Sequence, residues 1–130
     1  MEDSQRVVRL LMVEDNVEHL DLCKEYLPKD QFIIDAALTS TEAIEKLKKN
    51  KYDLIVLDYA LPDFDGIELL RRIKPMGLKV PIIFTTVCDD AYISFEAMKG
   101  GACDYVVKTF HYYKTLKDRI LENLDMCKTT

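Results

Sequence analysis

Asp58 closes the apolar run Leu54-Ile55-Val56-Leu57. Ligands of open α/β sheets bind outside the carboxyl ends of the strands, so a buried strand that ends in a carboxylate presents it at a crevice. Three other apolar runs also end in side chains that carry chemistry. Leu10-Leu11-Met12-Val13 leads into Glu14-Asp15, Pro81-Ile82-Ile83-Phe84 into Thr85-Thr86, and Tyr105-Val106-Val107 into Lys108. As parallel neighbours, these strands bring three carboxylates, a hydroxyl and an ammonium to one edge.

That set suits phosphoryl transfer to a carboxylate. Asp58 is the candidate nucleophile, forming an acyl phosphate. The transferred group carries spread negative charge, so its catalysis is mainly positioning and charge neutralisation. A hard divalent cation takes oxygen ligands and keeps several waters. Asp15 and Asp58 are the candidate direct ligands of Mg2+ or Mn2+, Glu14 a ligand through water, and the carbonyl of Ala60 the remaining protein ligand. Thr86 offers a hydroxyl to one phosphoryl oxygen and Lys108 an ammonium to another. Each residue also has an ordinary reading: Glu14-Asp15-Asn16 as a helix cap, Asp58 as a turn residue before Leu61-Pro62-Asp63, Thr86 as a β-branched strand residue, Lys108 as a solvated lysine. Their coincidence at four strand ends favours the site.

A framework must present those ends, and the sequence alternates strand and helix five times. Val7–Val13 reads as a buried strand. Val17, Leu20, Cys23 and Leu27 then recur at helical spacing, with Glu18, His19, Asp21 and Lys24 facing out, until Pro28 stops the helix. Phe32-Ile33-Ile34 begins the second strand. Thr39-Ser40-Thr41-Glu42 supplies an N-cap and capping-box partner for a helix burying Ala43, Ile44 and Leu47. Leu54–Leu57 is the third strand. Asp65-Gly66-Ile67-Glu68 opens a helix burying Ile67, Leu70 and Ile73, ended by Pro75 and Gly77. Ile82–Phe84 is the fourth strand. Asp89 or Asp90 caps a helix with Ala91, Phe95 and Met98 as its apolar positions, closed by Gly100-Gly101. Tyr105–Val107 is the fifth strand, and Tyr113, Leu116, Ile120, Leu124 and Cys127 mark a last amphipathic helix. Apolar strands alternating with helices predict an α/β fold, a parallel sheet covered on both faces.

At 130 residues, 48% hydrophobic and 32% charged, residues 1–130 read as one globular domain. A net charge of −5 argues against nucleic acid or an anionic membrane as a direct partner. Lys46, Lys48, Lys49 and Lys51 read as a solvated face. The start, Met1-Glu2-Asp3-Ser4, has no signal-peptide character and no apolar run reaches the length of a membrane span, so a cytoplasmic location is expected. Cys23, Cys88, Cys103 and Cys127 form no Cys-x-x-Cys pair and read as reduced thiols serving as small hydrophobes.

Over essentially its whole length the sequence resembles the receiver domain of two-component response regulators. The resemblance is carried by Glu14-Asp15-Asn16, by Leu57-Asp58-Tyr59-Ala60-Leu61-Pro62-Asp63-Phe64-Asp65-Gly66, and by Thr86 and Lys108 closing their strands. It implies a flavodoxin-like sandwich: a five-stranded parallel sheet in the order 2-1-3-4-5 with five helices. It implies Mg2+-dependent phosphorylation of Asp58 by the phosphohistidine of a histidine kinase or histidine phosphotransfer protein. The domain would then catalyse its own phosphorylation and dephosphorylation, with no separate substrate. Tyr105 matches the family's switch aromatic and Thr86 its coupling partner. The surface they control is the fourth helix, fifth strand and last helix, where a partner or a second copy docks.

Two departures stand out. Thr109 follows Lys108 where the family usually has proline, often through a cis peptide, so a trans bond and a reshaped loop are expected. Val87 follows Thr86 where a small residue is usual, adding bulk at the mouth. Rival readings fit less well. A haloacid-dehalogenase-like phosphatase needs an acid two residues beyond its nucleophile, where this chain has Ala60. An FMN carrier needs a hydroxyl- and glycine-rich loop where Glu14-Asp15-Asn16 would repel phosphate. An interaction-only pseudo-receiver would be natural only without Asp58 or Lys108. A stand-alone receiver and a piece of a larger regulator or hybrid sensor kinase both remain open.

Overall fold

The computed structural model describes residues 6–109 and 111–129, with side chains described through residue 125. Five strands, Val8–Val13 (β1), Phe32–Ala37 (β2), Leu54–Asp58 (β3), Ile82–Thr86 (β4) and Asp104–Val107 (β5), alternate with five helices, Val17–Tyr26 (α1), Ser40–Lys49 (α2), Gly66–Ile73 (α3), Ala91–Lys99 (α4) and Tyr112–Thr129 (α5). The strands pair in parallel in the order 2-1-3-4-5. This is the flavodoxin-like arrangement the resemblance implied. No helix is long and apolar enough to cross a membrane among the described residues.

Strand side chains alternate between faces, and the core divides accordingly. Leu11, Val13, Ile55, Leu57 and Phe84 pack with Ala43, Leu47, Leu69, Leu70, Ile73 and Ala97, from α2, α3 and α4. Leu10, Met12, Leu54, Val56 and Ile83 pack with Leu20, Cys23, Leu116 and Ile120, from α1 and α5. Each fully buried large side chain contributes about 1.5–3 kcal/mol, which holds the strand ends in register. That register sets Val13 beside Leu57, Asp58 beside Thr85, and Thr86 beside Val107.

Several helix faces differ from the periodicity reading. In α1, Leu20 and Cys23 are buried, as is the capping Leu27, but Val17 is 56% exposed, because it occupies the first helical position at the rim of the sheet. In α3 the buried residues of the first turn are Gly66 and Leu69, with Ile67 only half-buried. The largest difference lies in α4. Its buried residue is Ala97, while Ala91, Phe95 (62% exposed) and Met98 face solvent with Tyr92 (70% exposed). The period was right and the phase wrong: a small residue faces the sheet and the aromatics face away. Cys23 is buried as expected, but Cys88 and Cys103 are exposed free thiols rather than core residues. Cys127 lies outside the residues whose side chains are described. No peptide bond among the described residues is cis, so Lys108–Thr109 is trans.

Candidate functional site

Parallel pairing carries β1, β3 and β4 to a common edge, where Glu14, Asp15 and Asp58 meet. One ligand oxygen from each lies within 4.8 Å of the others. Glu14 continues the β1–β2 ladder, its N–H donating to the Ala37 carbonyl at 3.0 Å, and its carboxylate accepts the N–H of Asn16 at 3.2 Å. Asn16 then caps α1 by accepting the His19 N–H. The acidic pair is therefore fixed between a strand end and a helix start.

Asp58 is buried at the end of β3. Behind it, the chain returns to the strand at Gly66. A β-carbon there would lie 2.5 Å from the Asp58 carbonyl oxygen, 2.8 Å from Leu57 Cδ2 and 2.9 Å from Phe84 Cε2. Only glycine lets α3 begin this close to the strand. Asp65 caps α3 by accepting the Glu68 N–H at 2.9 Å, as the sequence indicated. Ala60, two residues past Asp58, is exposed at the head of this loop.

Lys108 reaches the edge from the end of β5. Its Nζ lies 3.1 Å from Asp58 Oδ2 and also bonds Glu14 Oε1. All three side chains are nearly inaccessible. One ammonium faces two buried carboxylates and a third at the rim, so negative charge is in surplus. Removing charges from water costs several kcal/mol each, and an unequal set repays that poorly. Burial, reinforced by Glu14 and opposed by Lys108, pushes the Asp58 carboxyl up to about 7. Burial works against the Lys108 charge, but Asp58 and Glu14 outweigh it and shift its titration upward, so the ammonium is retained. An all-oxygen donor set with excess negative charge fits a hard divalent cation such as Mg2+.

Thr86 is buried at the end of β4, where its hydroxyl oxygen accepts the Cys88 N–H at 3.3 Å. Tyr105 stacks on Phe84, ring centroids 6.1 Å apart, and its hydroxyl donates to the Cys88 carbonyl at 3.2 Å. The two expected switch residues thus hold opposite ends of one residue. Val87, beside them, is 64% exposed. Past Lys108 the chain turns tightly, the Thr109 N–H donating to the Val107 carbonyl at 2.9 Å. A proline at 109 would lack that donor.

Sequence reading missed three neighbours of the site. Thr85, not Thr86, has its hydroxyl 3.5 Å from Asp58 Oδ1. Two adjacent strand residues face opposite ways, so the pair Thr85-Thr86 already signalled that one would point to each side. Tyr112 is buried, with the Lys108 Nζ 5.6 Å from its ring centroid. His19 was expected to face out. It is half-buried instead, its Nδ1 3.7 Å from Glu14 Oε1 and its ring edge-on to Tyr113.

A family model described as the response regulator receiver domain matches residues 10–120. The chain is 30% identical to the chemotaxis protein CheY of Bacillus subtilis, over 90% of this chain and 94% of that protein. It spans less than half the length of several curated transcriptional regulators that it matches. A CheY-like receiver domain protein from Methanospirillum hungatei superposes with a TM-score of 0.87 at 27% identity, covering 95% of this chain and 98% of that one. Response regulator TrrA of Thermotoga maritima, solved in complex with Mg2+-BeF, gives 0.78 at 29% identity, covering 89% and 98%.

Proposed function

The chain belongs to the response regulator receiver domain family, and on that premise we propose that Asp58 accepts a phosphoryl group from the phosphohistidine of a histidine kinase or histidine phosphotransfer protein. The observation that carries this reading is a buried strand-end carboxylate with a lysine at 3.1 Å and two further carboxylates beside it. An Asp58 oxygen attacks phosphorus. The phosphorus–nitrogen bond breaks, and its electron pair returns to the donor imidazole, which takes up a proton. Asp15 and Asp58 would hold Mg2+ or Mn2+ directly, Glu14 through water and Ala60 through its carbonyl. When bound, the ion neutralises charge on the transferred oxygens. The cluster of Glu14, Asp15 and Asp58 supports the carboxylate part of that donor set, and a relative solved with Mg2+-BeF supports the choice of ion. Lys108 exchanges a carboxylate for a phosphoryl oxygen, and Thr86 donates its hydroxyl to another.

The same contacts supply a switch. Drawing the Thr86 hydroxyl to the phosphoryl group removes its bond to the Cys88 N–H. The Cys88 carbonyl that anchors Tyr105 then moves with the loop. The population shifts between two packings of α4, β5 and α5. The exposed Tyr92, Phe95 and Met98 on α4 lie on the surface that a partner or second copy engages.

Intact-mass measurement after treatment with acetyl phosphate and Mg2+ tests the acceptor. The wild type gains one phosphoryl group and Asp58→Asn gains none; equal labelling of both sinks the assignment. Amide-shift mapping with beryllofluoride tests the switch: α4, β5 and α5 respond in the wild type, and the response is lost in Thr86→Ala.

A further inference from the structure

We infer that Asp63 is a positioning residue for the metal and phosphoacceptor site, clamping the loop that runs on from Asp58 to the N-terminus of α2. The inference rests on the receiver reading and extends it. Residues 59–65 join β3 to α3 and contain Ala60. One end of the loop is tied by Tyr59, whose N–H donates to the Thr85 carbonyl at 2.9 Å, and the other by the Gly66 N–H, which donates to the Tyr59 carbonyl at 2.8 Å. The middle is held from α2. Asp63 Oδ1 accepts the Ser40 N–H at 2.9 Å and the Phe64 N–H at 3.0 Å. Its Oδ2 accepts the Thr41 N–H at 2.8 Å and the Thr41 hydroxyl at 2.6 Å. In return the buried Ser40 hydroxyl donates to the Phe64 carbonyl at 2.6 Å.

A helix start leaves several N–H groups without intrahelical partners, and negative charge is favourable there. In α2, Thr39 takes the Glu42 N–H at 3.0 Å, while Asp63 takes those of Ser40 and Thr41. Thr39 is thus a sufficient local cap. What Asp63 adds is a fixed separation between the helix and the loop. Slight burial opposes the Asp63 charge, but hydrogen bonds from the Thr41 hydroxyl and from the N–H groups of Ser40, Thr41 and Phe64 hold its carboxyl well below the usual range. The clamp is therefore charged throughout the neutral range. Mg2+ demands near-ideal octahedral geometry, so a loop that must offer the Ala60 carbonyl gains from being fixed before the ion arrives.

Calorimetric titration with Mg2+ of the wild type, Asp63→Ala, Asp63→Asn and Thr39→Ala tests this. Asp63→Ala weakens Mg2+ binding about tenfold, the size expected for loss of an outer partner of a metal site. Asp63→Asn keeps one acceptor oxygen and falls between the two. Thr39→Ala removes a cap from the same helix but leaves the clamp, so its affinity stays within about twofold of wild type. An Asp63→Ala affinity equal to wild type overturns the inference, and so does a Thr39→Ala loss as large as that of Asp63→Ala. If Asp63→Ala does not fold, Asp63→Asn against Thr39→Ala decides by the same criteria. A wild type that takes up no Mg2+ overturns the receiver reading and this inference together, whereas a binding wild type with an unaffected Asp63→Ala overturns the clamp alone.

Discussion

Two aspartates in this molecule each touch a lysine, and they titrate in opposite directions. Asp35 on β2 is half-buried, with the half-buried Lys46 Nζ at 2.6 Å and the hydroxyl of the buried Tyr52 at 2.5 Å. Burial nudges it up, but those two bonds outweigh it and hold its carboxyl low. Asp58 has Lys108 at 3.1 Å, yet its carboxyl is pushed up to about 7 by burial and Glu14. The partner chemistry is the same; what differs is solvent and the balance of charge. At Asp35 one carboxylate has two donors. At Asp58 two buried carboxylates share one ammonium. The first arrangement is a brace, and the second is short of positive charge.

Metal affinity gives the sharpest contrast. Asp15→Asn removes a proposed direct ligand and should weaken Mg2+ binding by about 10–100-fold. Glu14→Gln should cost less and Asp35→Asn nothing, all read by calorimetry. A loss from Glu14→Gln exceeding that from Asp15→Asn would reverse the two roles.

Stability should divide the aspartates by sign. Without divalent ions at pH 8, Asp58→Asn relieves a buried charge and should stabilise the fold by about 1–3 kcal/mol. Asp35→Asn should destabilise it by about 1 kcal/mol, discounted for partial exposure. Urea melts of both variants check this.

The pH dependence follows the same division. Asp58 titrates higher folded than unfolded, so its contribution to stability is full below about pH 4 and is lost as pH rises to about 7. Because Mg2+ needs the carboxylate, its affinity should rise across that upper end. Asp35 titrates lower folded than unfolded, so its contribution is present above about pH 4 and lost below it.

The smallest effect concerns decay of the phosphorylated protein. Hydrolysis requires a water held in line with the Asp58–phosphorus bond. Ala60 has no side-chain hydrogen-bonding group, and the Cys88 thiol donates weakly. Ala60→Asn should therefore speed phosphate loss, on the order of tenfold, without preventing phosphorylation. Equal decay of wild type and variant in Mg2+ would show that the missing side chain is not what limits the reaction.

The sheet and the acidic edge were legible because strand ends are short-range features: an apolar run followed by Glu14-Asp15 or Asp58 is visible in a few residues. The α4 face was not legible, since Ala97 and Phe95 are both apolar and periodicity alone does not say which faces the sheet. Nor was the Asp63 clamp, whose partners Ser40 and Thr41 lie 23 and 22 residues away in sequence. Cys88 and Cys103 were misplaced because thiol burial is decided by the turn each one sits in.

The absent side chain at Gly66 has a mechanical consequence. On that side of Asp58, the strand end and α3 are in backbone contact with no compressible layer between them. On the other side, β5 is tied in by its ladder with β4 and by the Lys108 ion pair, but the loop that leads to α4 is held at Cys88 by two hydrogen bonds, its N–H to Thr86 at 3.3 Å and its carbonyl from Tyr105 at 3.2 Å. The first joint is stiff and the second compliant. If Asp58 is the phosphoacceptor, a load applied there should deflect the loop toward α4, with α3 as the fulcrum.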